Sequence, residues 1–187
     1  MDFRELTRDE VTSIWKIDRA EVVRGIYHLE GGGLVLKSEF FDAKGWPPGE
    51  EDQYGPVLLD CFDRGGTFHA AFDGDKLAAT AVLESRFIGS RQDQLQLVFM
   101  HVDKKYRGTG LGGSLFKQAV QTARRKGARQ LYISATPSEN TIDFYRHLGC
   151  VVATEIDKEL FKLEPEDIHL EYRLNQRLIL IRRMLCG

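Results

Sequence analysis

The sequence contains no apolar run long enough to span a bilayer, and Met1 to Glu5 lack the apolar core of a secretory signal peptide. Its three cysteines, Cys61, Cys150 and Cys186, are an odd number without metal-ligand spacing, so we expect neither a disulfide framework nor a metal site. Of its 187 residues, 42% are hydrophobic and 29% are charged, and the mean hydropathy is −0.32. These properties favour a cytoplasmic globular protein with reduced thiols.

Acidic residues are missing from one long stretch of the chain, between Lys104 and Pro137. The net charge of −2 gives no global attraction to nucleic acid or to a membrane. Eight of the 26 basic residues lie in this stretch, which leaves 18 basic against 28 acidic residues elsewhere, a net charge of −10. This concentration of positive charge indicates a local anionic partner, with a solvated helix face as the alternative. The eight residues are Lys104, Lys105, Arg107, Lys117, Arg124, Arg125, Lys126 and Arg129.

The length suits a single domain, and residues 1–66 are predicted to form a largely helical opening. Apolar residues recur at helical spacing over residues 9–29, and the glycines at 31–33 end that predicted helix. Residues 34–41 are compatible with a short extra strand, and a turn-rich stretch follows at 46–49. The apolar positions are Val11, Ile14, Trp15, Val22, Val23, Ile26 and Tyr27.

Beyond residue 66 the pattern changes to strands followed by alternating strands and helices, which predicts a mixed α/β fold. Gly127 and Gly149 stand where helix-ending glycines belong, and Ser138 or Asn140 can cap the second helix. We assign no secondary structure to the basic and apolar tail, 175–187. The tail could pair with a second subunit in a homodimer, or it could cover its own sheet. The predicted strands are 67–72, 76–87, 94–102, 131–133, 151–154 and 168–174, and the helices begin at 111 and near 139.

A glycine-rich turn, residues 107–112, joins the strand that ends at Val102 to the basic helix. Glycines let backbone N–H groups approach an anion without interference from Cβ, and the helix N-terminus adds partial positive charge at the same point. The turn therefore predicts a phosphate cradle. The alternative is a turn that needs glycine only for tight packing of strand against helix.

The same turn contains the dinucleotide-binding pattern G-x-G-x-x-G at Gly108, Gly110 and Gly113. That fold also requires an acidic residue at the end of the second strand, where it binds the ribose. The next strand here ends at Thr136, and no acidic residue appears before Glu139. We therefore reject the dinucleotide fold.

Arg107-x-x-Gly110-x-Gly112 instead resembles the [Gln/Arg]-x-x-Gly-x-[Gly/Ala] signature of the Gcn5-related N-acetyltransferases (GNAT). A second segment, Asn140 to Cys150, contains Phe144-Tyr145 followed by a glycine and is similar to the later motif of that family. The two motifs occur in the expected order, separated by one strand. The resemblance covers about residues 67–174.

This resemblance implies a mixed central sheet, splayed between its fourth and fifth strands and flanked by helices. Those strands would be Gln94–Val102 and Arg129–Ala135 here, and acetyl-CoA, the acetyl donor, would lie in the splay. Residues 67–174 would form the acetyl-CoA-binding core and residues 1–66 the substrate side. The implied cofactor contacts are Met100, His101, Val102, Arg107, Gly108, Thr109, Gly110, Leu111, Gly112, Ser138, Asn140 and Tyr145.

Three residues are candidates for catalysis: Tyr145, Glu84 and His101. Tyr145 matches the position of the family tyrosine that serves as general acid or thiolate stabiliser, with a core packing role as the alternative. His101 has a suitable ordinary pKa for a base, but a structural or cofactor-contacting role is the alternative. Glu84 lies near the end of a strand that we expect to face the cleft.

The base is the open question, because the two positions where family members carry a glutamate correspond to Gln96 and Ser134. Glu39 and Asp42 are further candidates, and a water chain would require no dedicated residue. Near them, aromatic residues beside carboxylates would suit a cationic amine, with a solvated acidic loop as the alternative. These residues are Phe40, Phe41, Trp46, Pro47, Pro48, Glu50, Glu51 and Asp52.

The resemblance therefore implies an acetyl-CoA-dependent N-acetyltransferase that acts on a primary amine of a small molecule or peptide. The missing acid at Gln96 and Ser134 motivates a second hypothesis, a non-catalytic acyl-CoA-binding or sensory module. A third is an enzyme that uses a longer acyl-CoA or acetylates an alcohol.

Overall fold

A seven-stranded sheet forms the centre of the protein, with strands in the order β1-β4-β5-β6-β7-β9-β8, and a separate hairpin joins β2 to β3. The computed structural model describes residues 1–174, and the tail 175–187 lies outside the described residues. The strands are β1 (Asp2–Glu5), β2 (Glu21–Glu30), β3 (Gly33–Ala43), β4 (Thr67–Asp73), β5 (Lys76–Ile88), β6 (Gln94–Val102), β7 (Gln130–Ala135), β8 (Val151–Val152) and β9 (Ile168–Arg173). The helices are α1 (Glu50–Asp63), α2 (Leu111–Arg125), α3 (Glu139–His147) and α4 (Lys158–Leu163), with 3-10 turns at Arg8–Lys16 and Lys104–Tyr106.

Neighbouring strands of the sheet are antiparallel except β6 and β7, the fourth and fifth in sheet order. These two pair in parallel over three residues only, from Gln94 opposite Gln130 to Gln96 opposite Tyr132. Beyond that point β6 runs on to Val102 and β7 to Ala135 without pairing with each other, although each stays paired with its other neighbour. The predicted splay between the fourth and fifth strands is therefore confirmed.

Helix α2 covers one face of the sheet with a single apolar stripe. The stripe recurs every three or four residues, so one side of the helix packs on β4, β5 and β6 while its basic residues point outward. Gly127, at a φ of 88°, takes the left-handed conformation that ends the helix. The buried residues include Leu111, Leu115, Phe116, Ala119, Val120 and Ala123. The helix predicted from residue 111 is confirmed.

Helix α1 and the 3-10 turn Arg8–Lys16 cover the opposite face with a second apolar core. Val11, Ile14 and Leu58 are almost completely buried there, against Phe68 of β4 and Val82 of β5. The mixed α/β class is thereby confirmed, with helices on both faces of the sheet. None of the helices within residues 1–174 has the length and apolarity needed to cross a membrane.

The helix predicted over residues 9–29 is wrong in its second half, where β2 forms a hairpin with β3. Val23, Gly25 and Tyr27 are the inward-facing residues of β2, so the burial has a period of two. Gly25 hides this alternation in the sequence, because a glycine occupies the middle inward position. A Cβ there would lie 2.8 Å from the Leu36 side chain of β3. Gly31 and Gly32, which we expected to end a helix, form the hairpin turn at φ values of 57° and 80°.

The remaining predicted strands match β4, β5, β6, β7, β8 and β9 within a few residues. Ser138, one of two candidate caps, is the N-cap of α3. Strand β1 and helices α1 and α4 were not predicted, and the predicted short strand near 34–41 is the longer β3.

Candidate active site

A cleft of about 1080 Å³ opens where β6 and β7 separate. Its walls come from both sides of the splay: the second half of β6 and the turn before α2 on one side, and the end of β7 with α3 on the other. Residues from α1 and α4 close the far end. A cleft at an unpaired strand edge exposes backbone hydrogen-bonding groups as well as side chains.

The unpaired edge of β6 presents the backbone groups of Met100 and Val102 to this cleft. Asp103 donates its N–H to the carbonyl of Ala78, 2.9 Å away, on the β5 side. Successive residues of a strand direct their backbone groups to alternate sides, so those of Met100 and Val102 face the splay. The guanidinium of Arg107 donates to the Val102 carbonyl at 3.1 Å. An extended amide-containing ligand can therefore pair with β6 in the place that β7 leaves open.

The turn from Arg107 to Gly112 forms a concave surface of backbone amides at the start of α2. Gly108 and Gly110 have φ values of 76° and 88°, and a Cβ on either would meet no atom within 4 Å. Within residues 1–174, the N–H groups of Gly108, Gly110, Leu111 and Gly112 donate to no acceptor. Unpaired amides at a helix N-terminus are suited to bind phosphate oxygens. The residues present therefore fit a pyrophosphate group.

Three residues of this turn also stabilise the local structure, two by hydrogen bonds and one by close packing. Arg107 also donates to the carbonyl of Ala20 at 3.0 Å, and the hydroxyl of Thr109 donates to the carbonyl of Tyr106 at 2.6 Å. Thr109 is absent from the lining of the cleft. A Cβ on Gly112 would lie 3.1 Å from the ring of Phe144, so this glycine lets α2 and α3 approach closely. Part of the turn is therefore needed for packing, while its free amides remain compatible with the predicted phosphate cradle.

Ser138 and Asn140, two expected cofactor contacts, occupy different places. Ser138 is buried, and its hydroxyl accepts the N–H of Thr141 as the cap of α3, outside the cleft lining. Asn140 lines the cleft, and its amide nitrogen donates to the Glu21 carboxylate at 2.7 Å.

Tyr145 of α3 lines the cleft with a side chain that is only 6% exposed. Its ring packs at 6.2 Å from that of Phe116 and 5.2 Å from that of Phe144, centroid to centroid. Its hydroxyl forms no hydrogen bond with the described residues and is not one of their fully buried, unpaired polar atoms, so it is accessible from the cleft. Burial, with smaller contributions from Cys150 and Asp167, raises the pKa of Tyr145 above its ordinary value. The phenol therefore stays protonated at neutral pH and can donate a hydrogen bond to a group in the cleft.

His101 also lines the cleft, but its side chain is enclosed by aromatic rings on the opposite face of β6 from Met100. Its ring lies 4.4 Å from that of Phe99 and 4.8 Å from that of Trp46. Burial, followed by the charges of Arg19 and Arg107, lowers the pKa of His101 to about 3. An imidazole of such low basicity is poorly suited to remove a proton at neutral pH.

Glu84 lies at the cleft wall and is held in an ion pair. Its carboxylate accepts a hydrogen bond from Arg64 at 2.6 Å and another from the N–H of Ser85 at 2.7 Å. Burial acts to raise the pKa of Glu84, but the bonds from Ser85, Arg64 and Arg86 outweigh it and lower the pKa. Such a carboxylate is a weak base, and its position suits a structural role better.

We expect Glu84→Gln to destabilise the fold by about 2 kcal/mol, because it leaves the half-buried Arg64 without its better partner. The same substitution should change kcat by less than about threefold. Thermal unfolding and a thiol-release assay measure the two effects. Asp60→Asn is the matched control, since Asp60 pairs with the same Arg64 but is exposed. A large loss of kcat in Glu84→Gln at unchanged stability would make Glu84 catalytic.

The other two candidate bases, Glu39 and Asp42, lie on β3 and are absent from the cleft lining. Glu39 contacts His28 at 3.1 Å and Asp42 pairs with Lys44. Phe40 and Phe41 are exposed and also lie outside the cleft. Of the expected acceptor wall, Pro47, Pro48 and Glu50 line the cleft, and Trp46 packs beneath it on Phe99.

Sequence reasoning missed Asp167, which lies in the loop between α4 and β9 and lines the cleft beside Tyr145 and Ser134. The hydroxyl of Ser134 donates to Asp167 Oδ2 at 2.9 Å. Burial and the neighbouring Glu164 raise the pKa of Asp167 to about 7, although Ser134 opposes the shift. An aspartate in a polar loop belongs to no hydrophobic period and no motif, so the sequence does not predict that it lines the cleft. Its position follows from the pairing of β7 with β9.

The two ends of the cleft thus differ in chemistry. Free amides and basic side chains lie at the start of α2, and the carboxylates of Glu50, Glu164 and Asp167 lie at the end formed by α1 and α4. One end favours an anion and the other a cation. Within residues 1–174, His, Cys, Asp and Glu side chains form no group of three or more that could hold a metal ion.

Comparisons with known proteins agree with this geometry. A model of the acetyltransferase (GNAT) family matches residues 35–150. A solved structure of nourseothricin acetyltransferase is 18% identical, with a TM-score of 0.67 and coverage of 92% of this chain and 98% of the other. No curated protein matches the chain in sequence.

Two further structures have the same fold and contain ligands. A candidate streptothricin acetyltransferase from Bacillus anthracis, in complex with acetyl coenzyme A, is 18% identical, with a TM-score of 0.67 and coverage of 92% and 97%. PaiA N-acetyltransferase from Thermoplasma acidophilum, in complex with coenzyme A, is 14% identical, with a TM-score of 0.61 and coverage of 92% and 98%. At such identities these similarities show the fold.

Proposed function

The chain belongs to the acetyltransferase (GNAT) family, and from this membership we propose that it transfers the acetyl group of acetyl-CoA directly to a primary amine of a small molecule or peptide. The observation that carries the proposal is the cleft itself, which joins an amide cradle for an anion to the side chain of Tyr145 and to a group of carboxylates. Direct transfer requires these three elements: a donor site, an acid for the leaving thiolate, and a site for a cationic amine.

On the donor side, the amides of Gly108 to Gly112 would hold the pyrophosphate of acetyl-CoA, and the backbone of Met100 and Val102 would pair with its pantetheine arm. Two structures of the same fold with acetyl-CoA or CoA bound support acetyl-CoA as the donor. When bound, acetyl-CoA supplies an acetyl group activated as a thioester. Water is displaced from the splay in the process, which strengthens the electrostatic interactions of the cleft.

Tyr145 would donate its proton to the sulfur that leaves. Its hydroxyl is free of protein partners among the described residues, its ring is fixed between Phe116 and Phe144, and its raised pKa keeps it protonated. General acid catalysis by a positioned side chain contributes about 10²- to 10⁴-fold to a rate.

On the acceptor side, the carboxylates of Glu164 and Asp167 favour a positively charged amine over an alcohol, whereas Glu50 is already paired with Arg19. The hypothesis of a non-catalytic acyl-CoA-binding module depended on the missing acid at Gln96 and Ser134, and Asp167 beside Ser134 removes that reason.

A thiol-release assay with acetyl-CoA and a panel of acceptors tests the proposal. The panel contains spermidine, an aminoglycoside, streptothricin and a lysine-containing peptide, with an alcohol of similar size as the control. We expect at least one amine to release CoA thiol in step with an acetylated product identified by mass spectrometry. Tight CoA binding without turnover of any amine would favour the module instead.

We also retain the proposal of a cytoplasmic protein. It is supported by Cys61 and Cys150, which are both buried as free thiols, because free buried thiols are typical of reducing compartments. The third cysteine, Cys186, lies outside the described residues.

A further inference from the structure

We propose that Asp167 is the general base that removes a proton from the acceptor ammonium, and that Ser134 and Glu164 position it. This inference rests on the proposed function, since it assigns the base of that reaction. The carboxylate of Asp167, in the loop before β9, lies beside Ser134 near the end of β7.

The backbone fixes Asp167 at the β7 side of the splay. It directly precedes β9, whose first residue, Ile168, pairs with Ala135 at the end of β7. Ser134 is the residue before Ala135, and its hydroxyl donates to Asp167 Oδ2 at 2.9 Å. The carboxylate thus lies across the cleft from the unpaired edge of β6, where the donor would bind.

Titratable groups lie near Asp167 on α1, on α3 and at the end of α4. Glu164, at the end of α4, is its nearest ionisable neighbour, and Tyr54 of α1 donates to Glu164 Oε1 at 2.7 Å. Glu50 of α1 lies further along the same wall and is paired with Arg19 at 2.9 Å. Tyr145 of α3 faces Asp167 from the other side, close enough for its pKa to respond to the carboxylate.

No Lys, Arg or His of residues 1–174 pairs with either Asp167 or Glu164. Two adjacent carboxylates in a partly desolvated cleft repel each other and lack a counter-ion. A substrate ammonium supplies that missing positive charge. Tyr145 also lines the cleft, and Asp167 is close enough to affect its pKa, so we place the reacting atoms between these two side chains.

The protons then balance as follows. Asp167 takes one proton from the ammonium, and the free amine forms a C–N bond to the acetyl carbon. The C–S bond breaks, its electron pair leaves on sulfur, and Tyr145 gives its proton to that sulfur. The nitrogen loses its second proton, which restores the phenol of Tyr145, and Asp167 releases its own proton to solvent. The products are the acetylated amine, CoA thiol and one proton.

Burial and the like charge of Glu164 make Asp167 a stronger base than an exposed aspartate. Since the base acts in its deprotonated form, kcat/KM should fall as the pH drops through the raised pKa of Asp167. A dedicated base matters most below the pKa of the amine, where little free amine is present.

Asp167→Asn tests the assignment, because asparagine keeps the shape of the side chain and can still accept the hydrogen bond from Ser134. With the amine that reacts best in the panel, we expect kcat at pH 7 to fall about 100-fold, and to recover as the pH rises. The Kd for CoA, measured by calorimetry, should change by less than about twofold. Glu166→Gln is the control, because this exposed neighbour of Asp167 should leave both values unchanged.

An unchanged pH profile in Asp167→Asn, with normal turnover, would overturn the inference while leaving the proposed function intact. If no amine reacts with the unsubstituted protein, the proposed function fails and the inference fails with it. A ¹³C NMR titration of the carboxyl carbons gives a readout independent of turnover. An aspartate resonance that titrates well above the ordinary range and is lost in Asp167→Asn is expected, and titration of Asp167 in the ordinary range overturns the inference.

Discussion

Gly110→Val should weaken the binding of acetyl-CoA by about 100- to 1000-fold, because the new side chain would project into the amide cradle. A Cβ on Gly110 meets no protein atom within 4 Å, so the fold leaves space there that the phosphates would occupy. Branching at the β-carbon fills that space and separates the anion from the amides of Leu111 and Gly112. Isothermal titration calorimetry with acetyl-CoA and with CoA measures the loss.

Gly127→Val is a closely matched control for this substitution. Both glycines have a φ of 88°, both have open space at the Cβ position, and they stand at opposite ends of α2. Valine is strained at that φ in either place, so both variants should lose comparable stability. Only Gly110→Val should lose affinity for acetyl-CoA. Equal affinities in the two variants would show that the turn is no cradle.

Tyr145→Phe should lower kcat by about 1000-fold while the Kd for acetyl-CoA changes little. The substitution removes only the hydroxyl, which bonds to no other described residue, and keeps the ring between Phe116 and Phe144. The leaving thiolate then lacks its proton donor. Single-turnover kinetics of thiol release, together with calorimetry, separate the chemical step from binding.

Tyr27→Phe controls for the loss of a phenol at a neighbouring position. The hydroxyl of Tyr27 donates to Asp143 of α3 at 2.8 Å and lies outside the cleft lining. Its removal should reduce stability by about 1 kcal/mol without an effect on kcat. If Tyr145→Phe also kept its full rate, the role of Tyr145 would be packing alone.

Most elements of residues 67–174, though not α4, were predictable because their local patterns and tertiary environments agree. The stripe of α2 repeats at helical spacing, β4 to β6 consist of apolar runs broken by turn residues, and Gly127 and Gly149 end helices as expected. The β2–β3 hairpin was not predictable for the opposite reason. Gly25 occupies a buried strand position, so the hydrophobic residues on both sides of it fall at helical spacing.

The residues of the candidate site also fall into two groups, those that could be predicted from the sequence and those that could not. The cradle and Tyr145 could be located from the sequence because each belongs to a short contiguous motif. Asp167 reaches Ser134 only through the pairing of β7 with β9, more than thirty residues along the chain. The environments of Glu84 and His101 were equally hidden, because Arg64 and Trp46 approach them from distant segments.

Because of the splay between β6 and β7, we expect the free energy of unfolding to depend on the concentration of acetyl-CoA. At one end of the sheet β6 and β7 do not pair with each other, and bound acetyl-CoA would bridge the two strands there. A ligand that binds only the native state adds about 2.7 kcal/mol to the free energy of unfolding at a concentration one hundred times its Kd. The concentration of acetyl-CoA or CoA would then affect how well each molecule resists proteolysis.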